Sequence, residues 1–340
     1  MNQQKRCVLV TGSAGYVGSQ TVLELKAAGF RVVGVDDLSN GDPEAMTLAD
    51  HSVRADIRDR NAMETVFRGE AVAGIVHCAA LAVVADSVRD PLRYFRSNVE
   101  GTVALLEAAA RHGRPPVVFS SSATVYGAPD QSPIAETTPR LPIHPYGFTK
   151  LSGERALEFA DRAHGLRSVS LRYFNAAGAD HAARIGERHR VETRVLPNLI
   201  RAALGAGRVS PFSLAGDDYP TEDGTCVRDF VHTKDIARAH LASLEYLWSG
   251  GRTDALNIGG GGDGTSVRAL IRAVEHDLGR PVPVEVGPRR PGDAPVLVAD
   301  IRRAGAVLGW QPLHSSIAEI VRTARVWHEA EAARGLISVG

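Results

Sequence analysis

Short, continuously apolar runs alternate with helical patterns through the first half of the chain, and this alternation constrains the fold most. The apolar runs are CVLVTG, RVVGVDDL, AGIVHCAAL and PPVVFSSS, and the helical stretches include SQTVLELKAAGF and NVEGTVALLEAAARHG. A strand that is apolar at every position is buried on both faces, as in a parallel sheet with helices on each side. The pattern therefore predicts an α/β fold with a Rossmann-like, doubly wound parallel sheet.

The regular alternation weakens after residue 178. The stretches DHAARIGERHRVETR, PFSLAGDDYPTEDGT and PVPVEVGPRRPGDAP are polar, turn-rich or proline-rich, and such segments are hard to bury as a regular sheet. LRSVSLRYFNAAG and LNIGGGG each read as a further strand, and the chain is expected to return to the first domain around 227–260. We predict a Rossmann domain over 1–178 and a smaller α/β substrate-binding region that makes up most of 179–340.

The charge balance argues against two classes of partner. Lys plus Arg number 39 and Asp plus Glu also number 39, so no net basic field favours nucleic acid or an anionic membrane. No stretch is long and apolar enough for a membrane span, and the apolar run in MNQQKRCVLVTGSAG is too short for a signal peptide. We predict no nucleic-acid partner and no membrane partner.

The cysteines give a further indication of the compartment. Cys7, Cys78 and Cys226 are three in number, widely spaced and without a CxxC pair. Such an arrangement is typical of reduced thiols rather than of a disulfide framework or a zinc site. We therefore predict a cytoplasmic protein and expect no metal site.

Three glycines lie between the first apolar run and the first helical pattern. In VLVTGSAGYVGSQTVLELKAAG, Gly12, Gly15 and Gly18 allow a tight turn, close approach of the backbone to a pyrophosphate and close packing of helix on strand. The N-terminus of the following helix favours an anion. A glycine triplet alone is weak evidence, but this one has a strand before it and a helix after it, which together indicate a dinucleotide site.

Acidic residues follow the next two strands. Asp36 in VVGVDDL is placed to accept hydrogen bonds from ribose hydroxyls, and a carboxylate there repels a 2′-phosphate, which favours NAD over NADP. The alternative for Asp36 and Asp37 is a helix cap or a turn. Asp56 in RADIRD either faces the adenine or is an acid in a surface turn, and its spacing leaves both possibilities open.

Hydroxyl groups and a lysine come together in the second quarter of the chain. VVFSSSATVYG ends a buried strand in Ser120, Ser121 and Ser122, and HPYGFTK later places Tyr146 four residues before Lys150 in a predicted helix that begins near its proline. A phenol with a pKa near ~10 needs an adjacent positive charge to act as a base at neutral pH. The alternative is an ordinary solvated helix face, because residues at i and i+4 are neighbours on any helix.

These motifs together resemble the extended short-chain dehydrogenase/reductase family, whose signature is TGxxGxxG, a serine and YxxxK. LRYFNAAGA, GDDYPTEDGTCVRDFVH and RRPGD are similar to the UDP-sugar 4-epimerases within that family, and the similarity runs from Val8 to about Trp310. Those three segments are much more specific than the glycine loop.

The resemblance implies a role for each matching residue. Tyr146, Ser122 and Lys150 are implied to be catalytic. The implied NAD contacts are Gly12, Gly15, Tyr16, Val17, Gly18, Asp36, Asp37, Asn40, Asp56, Ile57, Ala79, Ala80, Leu81, Asn98, Ser120, Tyr146, Lys150 and Phe174. The implied contacts to a UDP-sugar are Ser122, Tyr146, Asn175, Arg194, Arg228, Arg290 and Asp293. For Asn98, a structural amide inside a helix is the alternative.

The activity implied by the resemblance is NAD-dependent 4-epimerisation of a UDP-sugar, the interconversion of UDP-glucose and UDP-galactose. The sugar would be oxidised transiently at C4, turn over as a 4-keto intermediate and be reduced on its other face. The resemblance also implies a homodimer formed through a helix bundle.

Several positions depart from the family pattern. Ala82 replaces a lysine, Arg194 replaces an asparagine, and Ala215 stands where an aromatic stacks on uracil, with Phe212 as a possible substitute. Leu297 occupies the position that limits sugar size. These departures bear on which sugar is bound and on uridine affinity rather than on the chemistry.

Other activities remain to be weighed against this one. Other nucleotide-sugar epimerases share the motifs, and a 4,6-dehydratase shares the hydride step but needs a further acid and base, where this chain has Ala123 and Thr124. A non-catalytic NAD-binding protein is the third possibility. It would not need Ser122, Tyr146 and Lys150 together.

Overall fold

The computed structural model describes residues 6–188, 192–205, 211–290 and 292–334. Its strands are β1 (Cys7–Thr11), β2 (Arg31–Asp36), β3 (His51–Arg54), β4 (Val72–His77), β5 (Val117–Ser120), β6 (Ser168–Tyr173), β7 (Asn175–Ala177), β8 (Phe212–Ala215), β9 (Val227–Arg228), β10 (Phe230–His232), β11 (Asp254–Ile258), β12 (Thr265–Ser266), β13 (Val284–Gly287) and β14 (Val296–Leu297). Its helices are α1 (Tyr16–Ala27), α2 (Arg60–Gly69), α3 (Val84–Arg89), α4 (Pro91–Tyr94), α5 (Gly101–Arg111), α6 (Pro145–His164), α7 (Val195–Leu204), α8 (Thr233–Trp248), α9 (Val267–Leu278), α10 (Arg302–Leu308) and α11 (Ile317–Ala333).

A seven-stranded sheet forms the centre of the molecule, in the order β11-β6-β5-β4-β1-β2-β3. Every neighbouring pair in it is parallel. The strand order reverses direction between β1 and β4, which is the topological switch point of a doubly wound fold. The predicted Rossmann-like α/β class is confirmed.

Alternate residues of the central strand β1 contact helices on opposite faces of the sheet. Val8 and Val10 pack in one core with residues of α1 and α8, whereas Leu9 packs in another core with residues of α2, α5 and α6. Successive side chains of a strand point to opposite faces, so a sheet covered on both faces needs apolar residues at every position. This burial explains the unbroken apolar run of the sequence.

The helix predicted over NVEGTVALLEAAARHG extends further upstream. It runs without interruption from Pro91 to Arg111, because a turn of π-type geometry over Phe95–Glu100 joins α4 to α5. Asp90 caps its start by accepting a hydrogen bond from the backbone N–H of Arg93. Single turns of π geometry often occur at functional sites.

One predicted strand is divided in two. LRSVSLRYFNAAG forms β6, which stays in the large sheet, and β7, which pairs in parallel with β10 outside it. The chain then builds a smaller unit in which α7, α9 and α11 pack around a separate apolar core. Between these parts, α8 packs on α1 and β11 extends the large sheet. The domain boundary at residue 178 stays a prediction.

No helix within the described ranges is long and apolar enough to cross a membrane. Cys7, Cys78 and Cys226 are free thiols. Location in the cytoplasm stays a prediction.

Helix α6 begins at Pro145, as predicted, and its N-cap is His144, whose Nδ1 accepts a hydrogen bond from the Gly147 N–H at 3.1 Å. It ends before Gly165, whose φ of 70° is the left-handed conformation typical of a glycine after a helix. Both ends of the helix that carries Tyr146 and Lys150 are therefore fixed by local sequence.

A buried ion pair fastens α6 to the large sheet. Glu154 of α6 accepts hydrogen bonds from Arg172 of β6 at 2.8 and 2.7 Å, and both side chains are almost fully buried. Ser121 donates to the same carboxylate at 2.6 Å, and Arg140 donates to it at 3.0 Å. Arg172 also donates to the Tyr126 hydroxyl at 2.8 Å. The pair therefore sets how α6 lies against β5 and β6.

We predict that Arg172→Met lowers the free energy of unfolding by roughly 3 kcal/mol, because it leaves the buried Glu154 carboxylate without its main counter-charge. Urea unfolding followed by tryptophan fluorescence measures the change. Arg302→Met is the control, since the Arg302 side chain is 89% exposed beside Asp300, and its unfolding curve should match that of the unmodified protein. Equal unfolding midpoints for the two variants would contradict the role of the pair.

Candidate active site

The glycine loop brings α1 unusually close to β1 and to the loop after β4. Gly12 has a φ of 70°, and a Cβ atom there would lie 2.6 Å from the Ala79 nitrogen. A Cβ atom on Gly18 would lie 1.9 Å from the Gly12 carbonyl oxygen. Gly15 forms the N-cap of α1, which begins at Tyr16. The loop has the shape that lets a diphosphate approach backbone N–H groups at a helix N-terminus.

Asp36 lies at the carboxyl end of β2 with only 7% of its surface exposed. Its Oδ2 accepts a hydrogen bond from the Ala14 N–H at 3.0 Å, and its Oδ1 accepts one from the Leu38 N–H at 2.8 Å. Burial raises the pKa of this carboxyl, while the two backbone hydrogen bonds lower it. The turn interpretation is therefore correct in part. Each oxygen still has a free lone pair with which to accept a ribose hydroxyl.

The other residues predicted near the adenosine differ in their exposure and in their contacts. Asp37 and Asn40 are exposed. Both oxygens of Asp56 contact Arg58, the shorter ion-pair distance being 2.5 Å, and these hydrogen bonds hold the pKa of Asp56 below its usual value. Ile57 is buried. The surface-turn interpretation thus describes the contacts of the Asp56 side chain, and its contact with adenine stays a prediction.

A cavity of about 520 Å³ lies beside these residues. It lies between the segment after β2, the turn of π geometry and the loop after β4. Its lining includes Asp37, Ser39, Arg58, Leu81, Arg93 and Arg96. The volume is in the range of sites for small molecules and cofactors.

Asn98 anchors the loop that follows β4. Its Oδ1 accepts a hydrogen bond from the Leu81 N–H at 2.8 Å, and its Nδ2 donates to the Leu81 carbonyl at 2.9 Å and to Thr149 Oγ1 at 3.0 Å. Ala79 and Ala80, in the same loop, are half-buried. These contacts fit the structural-amide interpretation, since Asn98 aligns the loop after β4 with the helix that carries Lys150. Its contact with NAD stays a prediction.

The Ser120 side chain is held by buried contacts. Its hydroxyl contacts Cys78 Sγ at 3.1 Å and His240 Nε2 of α8 at 3.0 Å, and its side chain is fully buried. Its carbonyl accepts a hydrogen bond from Lys150 Nζ at 2.7 Å. Ser120 therefore positions Lys150 through its backbone carbonyl, and its contact with the cofactor stays a prediction.

Ser122 and Tyr146 face each other at the end of β5. Ser122 Oγ accepts hydrogen bonds from the Thr124 N–H at 3.2 Å and the Thr124 hydroxyl at 3.0 Å, and so caps the short turn that follows. Burial raises the pKa of the Tyr146 phenol, whereas a hydrogen bond with Ser122 and the charge of Arg194 lower it. Without further positive charge the phenol stays protonated at neutral pH.

Lys150 lies on the same face of α6 and is only 3% exposed. Its Nζ is 5.8 Å from the centre of the Tyr146 ring and 5.0 Å from that of Phe119. Burial lowers the pKa of Lys150 to about 8, despite the opposing effects of Cys78 and Glu154. The lysine therefore carries most of its charge at neutral pH and loses it in mildly alkaline solution.

Arg194 supplies a second cation near Tyr146. Its guanidinium lies 6.0 Å from the centre of the Tyr16 ring and forms an ion pair with Glu187 at 2.8 Å. The Tyr16 hydroxyl donates to the Gly178 carbonyl at 2.5 Å, which ties the glycine loop to the segment after β7. Where the family has an asparagine, this chain therefore places a cation between its two predicted binding regions.

Three of the predicted UDP-binding residues, Asn175, Arg228 and Asp293, lie in or beside the small sheet β12-β9-β14. Arg228 of β9 lies 3.4 Å from Asp293 and donates to the Ala294 carbonyl at 2.9 Å. Arg290 is exposed and close to Asp293 in sequence, and Asn175 is the first residue of β7, where its N–H donates to the Asp229 carbonyl at 2.9 Å. The fold thus brings residues 175, 228 and 293 from three segments of the chain to one region.

Asp229 is a buried positioning residue, although no candidate role was predicted for it from the sequence. It is 2% exposed, its Oδ1 accepts from the Gly260 N–H at 2.5 Å, and its Oδ2 accepts from the Ala299 N–H at 2.9 Å. The carboxylate therefore joins the turn between β9 and β10 to the ends of β11 and β14. In the sequence, this role was indicated only by the position of an acid next to Arg228 in VRDF. The two hydrogen-bond partners of Asp229 became apparent only from the fold.

Two departures from the family pattern can be located. Phe212 packs in the second core with Leu214, and along strand β8 its side chain lies on the opposite face from that of Ala215. The suggestion that Phe212 replaces the missing aromatic is therefore wrong. Ala82 is exposed.

Leu297 lies opposite Arg228 in the pairing of β14 with β9. It packs with Phe174 against a small core that contains Val125 and Tyr126. Val17 is half-buried against the core of the large sheet. Phe174 and Leu297 thus pack against the same small core, which includes residues of the turn that begins at Ser122.

Comparison with known families agrees with this geometry. The model of the NAD dependent epimerase/dehydratase family matches residues 8–259, which is most of the chain. The chain belongs to that family.

Relatives of the NAD dependent epimerase/dehydratase family align over nearly the whole length. A UDP-glucose 4-epimerase of Rhizobium leguminosarum bv. trifolii is 47% identical over 94% of this chain and 97% of its own. A UDP-glucose 4-epimerase of Lacticaseibacillus casei is 44% identical over 95% of this chain and 96% of its own. The resemblance inferred from the motifs is confirmed.

Solved structures of this family share the fold. A UDP-glucose-4-epimerase from Stenotrophomonas maltophila, with bound NAD and formylated UDP-arabinopyranose, superposes with a TM-score of 0.93 at 41% identity and covers 97% of this chain and 99% of its own. A UDP-glucose 4-epimerase from Brucella ovis, in complex with NAD, gives a TM-score of 0.91 at 40% identity, covering 98% and 100%.

We predict that Gly12→Ala abolishes NAD retention, because its Cβ atom would displace the Ala79 backbone. Gly29→Ala is the matched control: Gly29 also has a positive φ, of 88°, but a Cβ atom there meets nothing within 4 Å. NAD released on denaturing the purified proteins is measured by absorbance and chromatography. Equal NAD content in the two variants would show that the close approach at Gly12 is not needed.

Proposed function

We propose that this protein is a UDP-glucose 4-epimerase that interconverts UDP-glucose and UDP-galactose. The observation that carries the proposal is the buried Tyr146, paired with Ser122 and one helical turn from Lys150, at the carboxyl edge of a sheet that also carries the glycine loop. Relatives with this activity align over almost the whole chain at 44% and 47% identity. The reaction class is isomerisation with no net redox change.

The cofactor is NAD, in keeping with the name of the family. When bound, NAD accepts the hydride from C4 of the sugar and returns it to the opposite face. The residues fit this group: Gly12 and Gly18 leave no room for side chains where a diphosphate approaches, and Asp36 presents a buried carboxylate to the ribose. That carboxylate would repel the additional phosphate of NADP.

Tyr146 acts as the proton acceptor for the sugar 4-hydroxyl. Because burial raises its pKa, the phenolate forms only with positive charge beside it. Lys150 and Arg194 contribute part of this charge from the chain. Ser122, whose Oγ accepts a hydrogen bond from the Thr124 N–H, orients the sugar hydroxyl. When the 4-keto intermediate is reduced on its other face, Tyr146 returns the proton to the oxygen at C4.

The UDP moiety holds the sugar while its ring turns over. Arg228 and Arg290 suit a diphosphate because a guanidinium can bind two oxygens at once. Asn175 supplies an amide to the same diphosphate, and Asp293 accepts from the uridine ribose. Binding energy from this remote group retains the ketone during the turnover.

We predict that Tyr146→Phe keeps its fold and bound NAD but loses on the order of 10²- to 10⁴-fold in turnover, because the proton acceptor is removed. The assay incubates purified enzyme with UDP-galactose, without added NAD, and separates the products by anion-exchange chromatography. Tyr246→Phe is the control, since the Tyr246 hydroxyl accepts a hydrogen bond from the Arg252 N–H at 3.0 Å, outside the predicted site. Unchanged turnover in Tyr146→Phe would refute the assignment of the base.

The same assay separates the alternatives. A 4-keto-6-deoxy product would identify a dehydratase, and no product from UDP-galactose, UDP-N-acetylgalactosamine or UDP-xylose would identify a binding protein without catalysis. Conversion of the N-acetylated sugar or the pentose alone would indicate a different epimerase. We expect UDP-glucose from UDP-galactose.

We further propose that the protein is a homodimer formed through α5 and α6. These helices pack against each other, and their outer faces expose Val103, Phe148 and Phe159. Neighbouring Val88 and Leu92 are also exposed. Extended apolar patches of this kind mark association sites, and the same pair of helices from a second copy would cover them in a symmetric bundle.

We predict that Val103→Glu combined with Phe159→Glu converts the dimer into a monomer, because two carboxylates would be buried without partners at the interface. Light scattering coupled to gel filtration measures the mass. Val286→Glu is the control, since Val286 is similarly exposed but lies on β13, far along the chain. A monomer in the unmodified protein, or a dimer in the double variant, would contradict this arrangement.

A further inference from the structure

We propose that His181, His314 and Glu319 form a binding site for Zn²⁺, separate from the catalytic residues. The three side chains come from the loop after β7, the segment before α11 and the first turn of α11. Each offers one ligand atom, and these atoms all lie within 4.8 Å of one another. The proposal does not depend on the epimerase activity.

The geometry already directs both imidazoles at one oxygen. Glu319 Oε1 lies 2.7 Å from His181 Nε2 and 2.8 Å from His314 Nδ1. Zinc binds nitrogen and oxygen ligands at about 2.0–2.2 Å in a tetrahedron, whose ligand atoms are roughly 3.4 Å apart. A shift of less than about 1 Å by each ring therefore opens space for the ion.

Each of the three chain segments that present these side chains is held in place by its own hydrogen bonds. Asp235 of α8, which is fully buried, accepts hydrogen bonds from the Leu313 and His314 N–H groups at 3.0 and 2.7 Å and from the Ser315 hydroxyl at 2.8 Å. The segment that presents His314 is thereby fixed. Fixed ligands bind a metal without the entropy cost of ordering them.

The segments that present Glu319 and His181 are held in a similar way. Ser316 caps α11 by accepting a hydrogen bond from the Glu319 N–H at 3.3 Å, which places Glu319 in the first turn. Asp180 accepts from the Ala182 N–H at 3.2 Å and forms an ion pair with Arg184 at 2.7 Å, which shapes the loop around His181.

His232 supports the site without supplying a ligand. Its Nδ1 accepts a hydrogen bond from the Lys234 N–H at 3.0 Å, so its Nε2 carries the proton and donates to Thr323 Oγ1 at 3.0 Å. Its ring stacks on that of His181 at 5.4 Å. Both nitrogens of His232 are thus occupied, and the fourth zinc position falls to water.

The donor set selects the class of cation. Two imidazoles and one carboxylate suit Zn²⁺ and its spectroscopic substitute Co²⁺, whereas Mg²⁺ and Ca²⁺ prefer oxygen ligands alone. The three widely spaced cysteines predict no metal site, but the ligands proposed here are two histidines and a glutamate. Positions 181, 314 and 319 are too far apart in sequence to be recognised as a ligand set.

The ion would fasten the C-terminal helix to the segment after β7. The same two elements already meet where the Ala179 N–H donates to Thr323 Oγ1 of α11 at 3.2 Å. One residue earlier, Gly178 accepts the Tyr16 hydroxyl of the glycine loop. We therefore assign the ion a stabilising role, and its readout is thermal unfolding rather than turnover.

The experiment uses the full chain with its NAD, treated with a chelator and then titrated with Co²⁺. We expect one equivalent to bind with visible d–d absorption, Zn²⁺ to displace it, and one equivalent of Zn²⁺ to raise Tm by roughly 2–5 °C. His181→Ala and His314→Ala should each weaken Co²⁺ binding by at least ~100-fold, since outer-shell partners alone are worth ~10- to 100-fold.

His276→Ala is the control, because His276 is an exposed histidine on α9, and it should bind Co²⁺ like the unmodified protein. Retained NAD reports the fold of each variant, and His181 is exposed in its loop, so its replacement leaves the core intact. Absence of a one-to-one Co²⁺ complex, or equal affinity in His181→Ala and His276→Ala, would overturn the proposal and leave a hydrogen-bonded cluster only.

Discussion

All seven strands of the large sheet run in the same direction, and the site depends on that constraint. Parallel strands need crossover helices on both faces, so the strands become apolar throughout and every carboxyl end emerges at a single edge. Gly12, Asp36, Ala79 and Ser122 each follow or end a strand at that edge. Residues spread over more than a hundred positions are thus brought together by topology rather than by local sequence.

Burial sets the pKa values of the two titratable side chains at the site, Tyr146 and Lys150. Burial of Tyr146 and Lys150 favours the neutral form of each side chain. It raises the pKa of the phenol and lowers the pKa of the amine to about 8. The hydrogen bond from Ser122 and the charge of Arg194 act against this shift for Tyr146. The chain alone therefore presents a protonated phenol that is ready to ionise once further positive charge arrives.

Much of the fold was predictable because the signals are local. The apolar runs, the glycine spacing and the proline at the start of α6 each act over a few residues, and the structure contains the corresponding strands, turn and helix. The directions of side chains were not predictable: the Ser120 hydroxyl contacts His240, and Phe212 packs against a core. Neither direction follows from spacing, because each depends on which element packs against that face.

The sequence by itself determined the class of fold, the family and the candidate base, since the order of strand, glycine turn and helix and the spacing of Tyr146 and Lys150 are properties of contiguous residues. Only the tertiary structure decided which partners the buried charges have. Glu154 with Arg172, Asp229 with two backbone N–H groups, and the imidazoles at Glu319 are all joined across long stretches of chain. Electrostatic and hydrogen-bonding contacts act over a few ångströms in space, so their partners are fixed only when packing brings distant segments together.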